Sequence, residues 1–166
     1  RDLRRQRQMC IRDRDHTQEA MRRLLIKPSF WRLAIKPGRP MAAGISDNAA
    51  PVMCLPGNPV AAFVCFRLVA APVLTHMAGG IPIPPARIPV RCAFEHRKSP
   101  GRTEYLRVRL ETGRDGEPEM LLHGRKGAGV LSSLTGADGL VEIPVDNDGV
   151  AVGDYLAFIA FRETAL

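Results

Sequence analysis

Apolar positions recur at helical spacing in two stretches of this chain and alternate with polar ones through much of the rest. Asp15-His16-Thr17-Gln18 has the form of a capping box, with Asp15 at the N-cap and Gln18 at N3. Met21, Leu24 and Leu25 follow at i, i+3 and i+4, so a helix is predicted that Pro28 stops. Phe30 to Lys36 then runs with a period of two. Trp31, Leu33 and Ile35 fall on one face and Arg32, Ala34 and Lys36 on the other, which predicts a strand. Pro37-Gly38-Arg39-Pro40 turns the chain, Met41 to Ile45 can form another strand, and Ser46-Asp47-Asn48 is a turn.

Pro51-Val52-Met53-Cys54-Leu55 is short, apolar and strand-like, and the second helical stretch begins just beyond it. Between them lies Leu55-Pro56-Gly57-Asn58-Pro59. Pro-Gly makes the turn, Asn58 suits an N-cap, and Pro59 suits the first helical position, where its missing N–H would be unpaired anyway. The helix places Val60, Phe63, Val64, Leu68 and Ala71 on one face, suited to packing on a sheet. Pro72 should kink or break it, and Gly79-Gly80 should end it. The junction reads either as an ordinary strand-to-helix corner or as an anion site, since free N–H groups at a helix N-terminus attract anions.

Ile81-Pro82-Ile83-Pro84-Pro85 is stiff and extended, a candidate linker over 81–85. The pattern changes after Ala86. Ile88, Val90, Cys92 and Phe94 alternate with polar or small residues, as do Leu106, Val108 and Leu110. Arg114-Asp115-Gly116 signals a turn, and Met120–Leu122, Leu140–Pro144 and Tyr155–Ile159 add short strands. Strands this short, with turns between them and no clear helix, predict a small all-β barrel or sandwich over 86–166.

The 166 residues carry 45% hydrophobic and 25% charged residues, the balance of a soluble globular protein of one or two small domains. No apolar run approaches the ~20 residues of a membrane helix, so no membrane association is expected. The net charge of +7 is uneven. Residues 1–14 hold six arginines against two aspartates, more than half of the total, and aromatic residues are only 5% of the chain, so nucleic acid is not the expected partner. That segment fits a disordered basic arm, a nucleic-acid tail or non-native sequence. The string RQMCIRDR favours the last, and 1–14 is set aside as an unstructured, non-native tail.

Cys10, Cys54, Cys65 and Cys92 form no C-x-x-C pair; the last three sit in apolar patterns as small core residues, which suits a reducing cytoplasm. His16, His76, His96 and His123 show no paired spacing and are expected at the surface. Arg32 and Lys36 share a strand face, an arrangement that is more often a solvated edge than an anion site. Gly124-Arg125-Lys126-Gly127-Ala128-Gly129 is glycine-rich and basic but lacks the P-loop pattern.

Two motifs go further. Trp31-Arg32-Leu33-Ala34-Ile35-Lys36-Pro37-Gly38-Arg39-Pro40, followed by Leu55-Pro56-Gly57-Asn58-Pro59-Val60-Ala61-Ala62, resembles the signature pair of the molybdopterin molybdotransferases, the family of bacterial MoeA and the E domain of gephyrin. Ser99-Pro100-Gly101-Arg102, Leu131-Ser132-Ser133-Leu134 and Val152-Gly153-Asp154 extend the match, which runs from about Asp15 to the end. The resemblance implies that 15–80 is the C-terminal half of a molybdopterin-binding α/β domain and 86–166 a small β-barrel. It also implies the family reaction, insertion of molybdate into adenylylated molybdopterin with Mg2+ and release of AMP.

By the same resemblance, Asp15, Arg32 and Lys36 are expected to be catalytic, with Asp15 the metal ligand. Lys36, Pro56, Gly57, Asn58, Pro59 and Arg102 are expected to bind the substrate cofactor. Arg32 stands where Lys is common in the family, which keeps the charge and changes its geometry. Gly127-Ala128 falls where many relatives have Gly-Ser. Members are longer than this chain and act as homodimers, so the resemblance implies a C-terminal fragment, inactive by itself and with an exposed sheet edge. The other function the resemblance allows is a noncatalytic, gephyrin-like scaffolding module.

Overall fold

A computed structural model describes residues 17, 19–124 and 132–162 of the chain. Asp15, residues 125–131 and the tail 1–14 therefore lie outside the described residues.

Helix α1 covers 19–23 among the described residues and ends well before Pro28. The chain turns at Leu24-Leu25, with Leu25 at φ 52°, and enters strand β1 (Lys27–Phe30). The predicted stop is thus displaced, because Pro28 sits in a sheet edge beside a register shift, a place where its missing N–H is tolerated. Strands β3 (Ala42–Ile45) and β4 (Pro51–Cys54) complete an antiparallel sheet in the order β1-β3-β4. Met21, Ile26 and Ala42 form its small core, with Trp31 and Val52 packed against them.

The single strand expected over Phe30 to Lys36 is two. β1 belongs to the three-stranded sheet, whereas β2 (Ile35–Lys36) pairs in parallel with β7 (Thr103–Thr112) in the other half of the molecule. A chain that changes sheets must leave the ladder between them, and Trp31–Ala34 does so. The predicted alternation still shows in burial: Trp31, Leu33 and Ile35 are half-buried, and Arg32, Ala34 and Lys36 are exposed.

Helix α2 (Pro59–Cys65) starts as its sequence predicts. Asn58 Oδ1 accepts from the N–H groups of Val60 at 3.1 Å and Ala61 at 3.2 Å. A π-helical turn at Phe66–Ala70 follows, then α3 (Ala71–Met77). The π-turn is how the helix passes Pro72. It widens the turn so that the Ala71 N–H reaches the Phe66 carbonyl, and the Pro72 ring is accommodated without ending the helix. The run Pro59–Met77 is 19 residues, long and apolar enough by length and composition to cross a membrane, which corrects the expectation that none comes close. Here Val60, Ala61, Val64 and Cys65 are buried within the fold. Gly79, at φ 82°, ends the helix as predicted.

The remaining strands are β5 (Ile88–Cys92), β6 (His96–Arg97), β8 (Pro118–Leu122), β9 (Gly139–Ile143), β10 (Gly149–Val150) and β11 (Tyr155–Ala160). Five of the strands close into a barrel in the order β7-β8-β5-β11-β9, with β9 returning to β7. Ten-residue β7 makes this possible: Glu104–Val108 pairs with β9, Val108–Thr112 with β8, and the edge of Thr103-Glu104 away from β9 takes β2. Val90, Cys92, Val108, Met120, Val141, Ile143 and Phe158 fill the interior. A second cluster, Val64, Tyr105, Leu140 and Ile159, packs α2 against the barrel wall. The predicted mixed α/β architecture with a terminal barrel is the one observed.

Candidate functional site

The β2–β7 pairing builds the site. Parallel pairing sets Ile35 opposite Thr103 and Lys36 opposite Glu104, and Thr103 N–H donates to the Ala34 carbonyl at 2.9 Å. Lys36 Nζ lies 2.7 Å from Glu104 Oε1; the lysine side chain is 53% exposed and the glutamate 5%. The turn after Lys36 is held from behind. Gly38 has φ 124°, and its carbonyl accepts from the buried Cys65 Sγ of α2 at 3.6 Å. Leu33 N–H donates to the Arg39 carbonyl across the same turn.

On the barrel side, Lys98 is buried although charged. Its Nζ donates to the carbonyls of Asn147 at 2.7 Å and Val145 at 3.2 Å, and Gly101 N–H donates to Val145 as well. The segment 97–102 is thereby pinned against the 145–148 turn, with the Lys98 side chain turned toward that turn.

Two adjoining cavities result. One, about 400 Å³, is lined by Arg32, Leu33, Ala34, Arg39, Pro100, Gly101 and Arg102. The other, about 150 Å³, is lined by Lys36, Arg97, Lys98, Ser99, Arg102 and Glu104. Arg102 belongs to both. Six cations therefore stand around one groove with a single carboxylate among its lining residues. Such a groove attracts multivalent anions, and guanidinium forks match the oxygens of tetrahedral oxoanions. A larger cavity, about 1070 Å³, is lined instead by Phe63, Arg67, Leu134 and Phe161 among others, and holds none of the predicted site residues.

The structure thus brings Arg32, Lys36 and Arg102 together. Pro56, Gly57, Asn58 and Pro59 line neither cationic cavity. The N–H groups of Val60 and Ala61, which the sequence offered to an anion, are taken by the Asn58 side chain. Asp15 and the Gly124–Gly129 loop beyond Gly124 lie outside the described residues. Arg39, Arg97, Lys98 and Glu104 were not singled out from sequence. Arg39 lies inside the first motif, and the basic spacing of Arg97, Lys98 and Arg102 was the available signal for the next two. Glu104 gave no signal, because its role comes from the register of β2 on β7.

Two histidines, His96 and His123, overturn the surface expectation, since both are half-buried, whereas His76 is exposed as expected. The Nε2 of His96 lies 3.3 Å from Glu104 Oε1 without the alignment of a hydrogen bond. Cys65 and Cys92 are buried core residues as predicted, whereas Cys54 is only half-buried; burial pushes the thiols of Cys65 and Cys92 up to about 11, and raises Cys54 also.

Two family models match. Residues 89–161 match the MoeA C-terminal region (domain IV), and residues 9–76 match the family described as a probable molybdopterin binding domain. The chain belongs to the MoeA family. A Haemophilus influenzae protein named molybdopterin molybdenumtransferase is 27% identical over 136 residues, which cover 81% of this chain and 33% of that protein. The Mycobacterium tuberculosis molybdopterin molybdenumtransferase 2 is 35% identical over 130 residues, covering 76% of this chain and 30% of its own length. The crystal structure of a molybdopterin biosynthesis MoeA protein from Pyrococcus horikoshii superposes with a TM-score of 0.70 at 28% identity, covering 89% of this chain and 35% of that one. This MoeA-family chain spans about a third of the length of the relatives it matches.

Proposed function

We propose that this chain supplies the oxoanion-binding groove of a molybdopterin molybdotransferase, which inserts molybdate into adenylylated molybdopterin and releases AMP. The observation that carries this reading is Arg102, which joins Arg32 and Arg39 in one cavity to Lys36 and Lys98 in the next. A pair of adjoining cationic cavities suits a reaction between two anions, molybdate and a phosphate-bearing pterin. Arg32 and Lys36 neutralise charge as the oxoanion approaches, and Arg102 bridges both groups. The names of the relatives support this assignment.

The corner Pro56, Gly57, Asn58 and Pro59 contributes in this reading by seating α2, whose Cys65 backs the Gly38 turn. Asp15 is proposed for the nucleotide and metal side. Among the described residues no group of three or more His, Cys, Asp or Glu side chains can hold a metal ion, and Glu104 is already engaged by Lys36. These residues do not fit Mg2+ by themselves. The same reading takes the active protein as a cytoplasmic homodimer, in which this chain binds oxoanion but does not turn over alone.

Calorimetric titration with molybdate tests the groove. Saturable binding is expected, weakened about tenfold or more by Lys36→Ala or Arg102→Ala. It should weaken further as salt is raised, since exposed charges are screened beyond about 8 Å at physiological ionic strength. Binding indifferent to both substitutions would contradict the reading.

A further inference from the structure

Glu104 is the unusual member of the cationic groove. It is a buried carboxylate, and one of its oxygens lies 2.7 Å from Lys36 Nζ and 3.3 Å from His96 Nε2. His96 Nε2 is itself buried with no hydrogen-bond partner. Each fact alone is awkward. A buried polar nitrogen without a partner is costly, and so is a buried carboxylate that loses its counter-ion.

Together they suggest a use. An oxoanion entering the smaller cavity meets Lys36, which is already paired. An ammonium has three donors, but sharing it would place a multivalent anion against a buried carboxylate, and like charges at that range repel strongly. Lys36 must therefore loosen from Glu104 to serve the ligand, and Glu104 must then find another donor. His96 is held in reach by its strand: β6 pairs with β10 in the register His96 to Val150. Its Nε2 already lies within 3.3 Å of Glu104 Oε1, so with the proton on that nitrogen only the alignment of a hydrogen bond is lacking.

We propose that His96 is the reserve partner of Glu104: as an oxoanion draws Lys36 away, His96 Nε2–H donates to the carboxylate that Lys36 leaves. His96 and Glu104 are positioning residues in this scheme, acting on the ligand through Lys36. The inference rests on the reading that Lys36 meets an oxoanion.

Molybdate titration of the full chain tests it. His96→Phe, which removes the reserve donor, should bind molybdate about tenfold more weakly than the wild type. In a Glu104→Gln background the same change should alter binding by less than about twofold, because a neutral amide needs no replacement for a lost cation. His96→Gln, which keeps an N–H donor, should recover affinity to within about threefold. His96→Leu repeats the comparison should the Phe variant fail to fold, and thermal unfolding without ligand identifies that failure. Wild-type affinity in the variants lacking the donor would overturn the exchange. So would a loss that persists in full with Glu104→Gln, since His96 would then act through shape alone. Wild-type binding that is absent, or indifferent to Lys36→Ala and Arg102→Ala, would overturn the groove and the exchange together. Binding that needs Lys36 and Arg102 but ignores His96 overturns the exchange only.

Discussion

Gly38 shows how tightly the groove depends on single residues. At φ 124° it holds a conformation that side chains rarely adopt, and an added Cβ would stand 2.6 Å from Cys65 Sγ and 2.8 Å from Ile35 Cδ1. Gly38→Ala should therefore destabilise the protein by about 1–3 kcal/mol, read as a lower thermal midpoint. Unchanged midpoint would show that the turn is not braced by α2. Tyr105 makes a second prediction at this scale. Burial, with Glu142 next in effect, pushes its phenol up to about 12. The folded state then keeps a proton that the unfolded chain gives up near pH 10, so this contribution to stability is full below about pH 10 and fades as pH rises toward 12. Ultraviolet titration should show one tyrosine ionising late. At the residue scale, charge was legible in the sequence and pairing was not. Arg32, Lys36 and Arg102 stood out by motif, whereas His96 was misplaced at the surface because nothing in its own neighbourhood announces Glu104.

Elements were legible where their cause is local. Asn58 and Pro59 begin α2 as predicted, and Gly79 ends α3, because caps and turns depend on neighbouring residues. The two-residue strands β2, β6 and β10 were not recognised as such, since each exists only by pairing with a distant strand. The π-turn illustrates the intermediate case. Pro72 forecast a disturbance, but its form has a tertiary consequence: Arg67, within that turn, donates to the carbonyls of Ala160 and of Phe161, the latter at 3.2 Å. These bonds tie the helix to the end of β11. Arg67→Met should leave the end of β11 untied and lower stability by about 1–3 kcal/mol. Hydrogen exchange should report faster opening near 159–161, and unchanged protection there would show that the tie is dispensable.

At the scale of the molecule, the pattern gave two parts, an α/β half and a barrel, and both are present. What it could not give is how they join. The join uses β2 laid on β7 and the cluster of Val64 with Tyr105, Leu140 and Ile159, contacts far apart in sequence. Because that cluster draws on both halves, the chain should unfold in a single transition. Ile159→Ala, at a fully buried position, should lower its midpoint by the equivalent of about 2–5 kcal/mol. Two separate transitions would mean that the halves are stable independently. The groove is a product of the same join, since one wall comes from 32–39 and the other from 97–104.

That origin makes the central claim directly measurable. Crystals of the chain soaked in tungstate, the heavier analogue of molybdate, would locate the anion by its anomalous scattering. The account predicts a peak in the groove within hydrogen-bonding distance of Arg102, with Lys36 or Arg39 as a further contact. Tungstate bound elsewhere, or a groove left empty at saturating concentration, would contradict it.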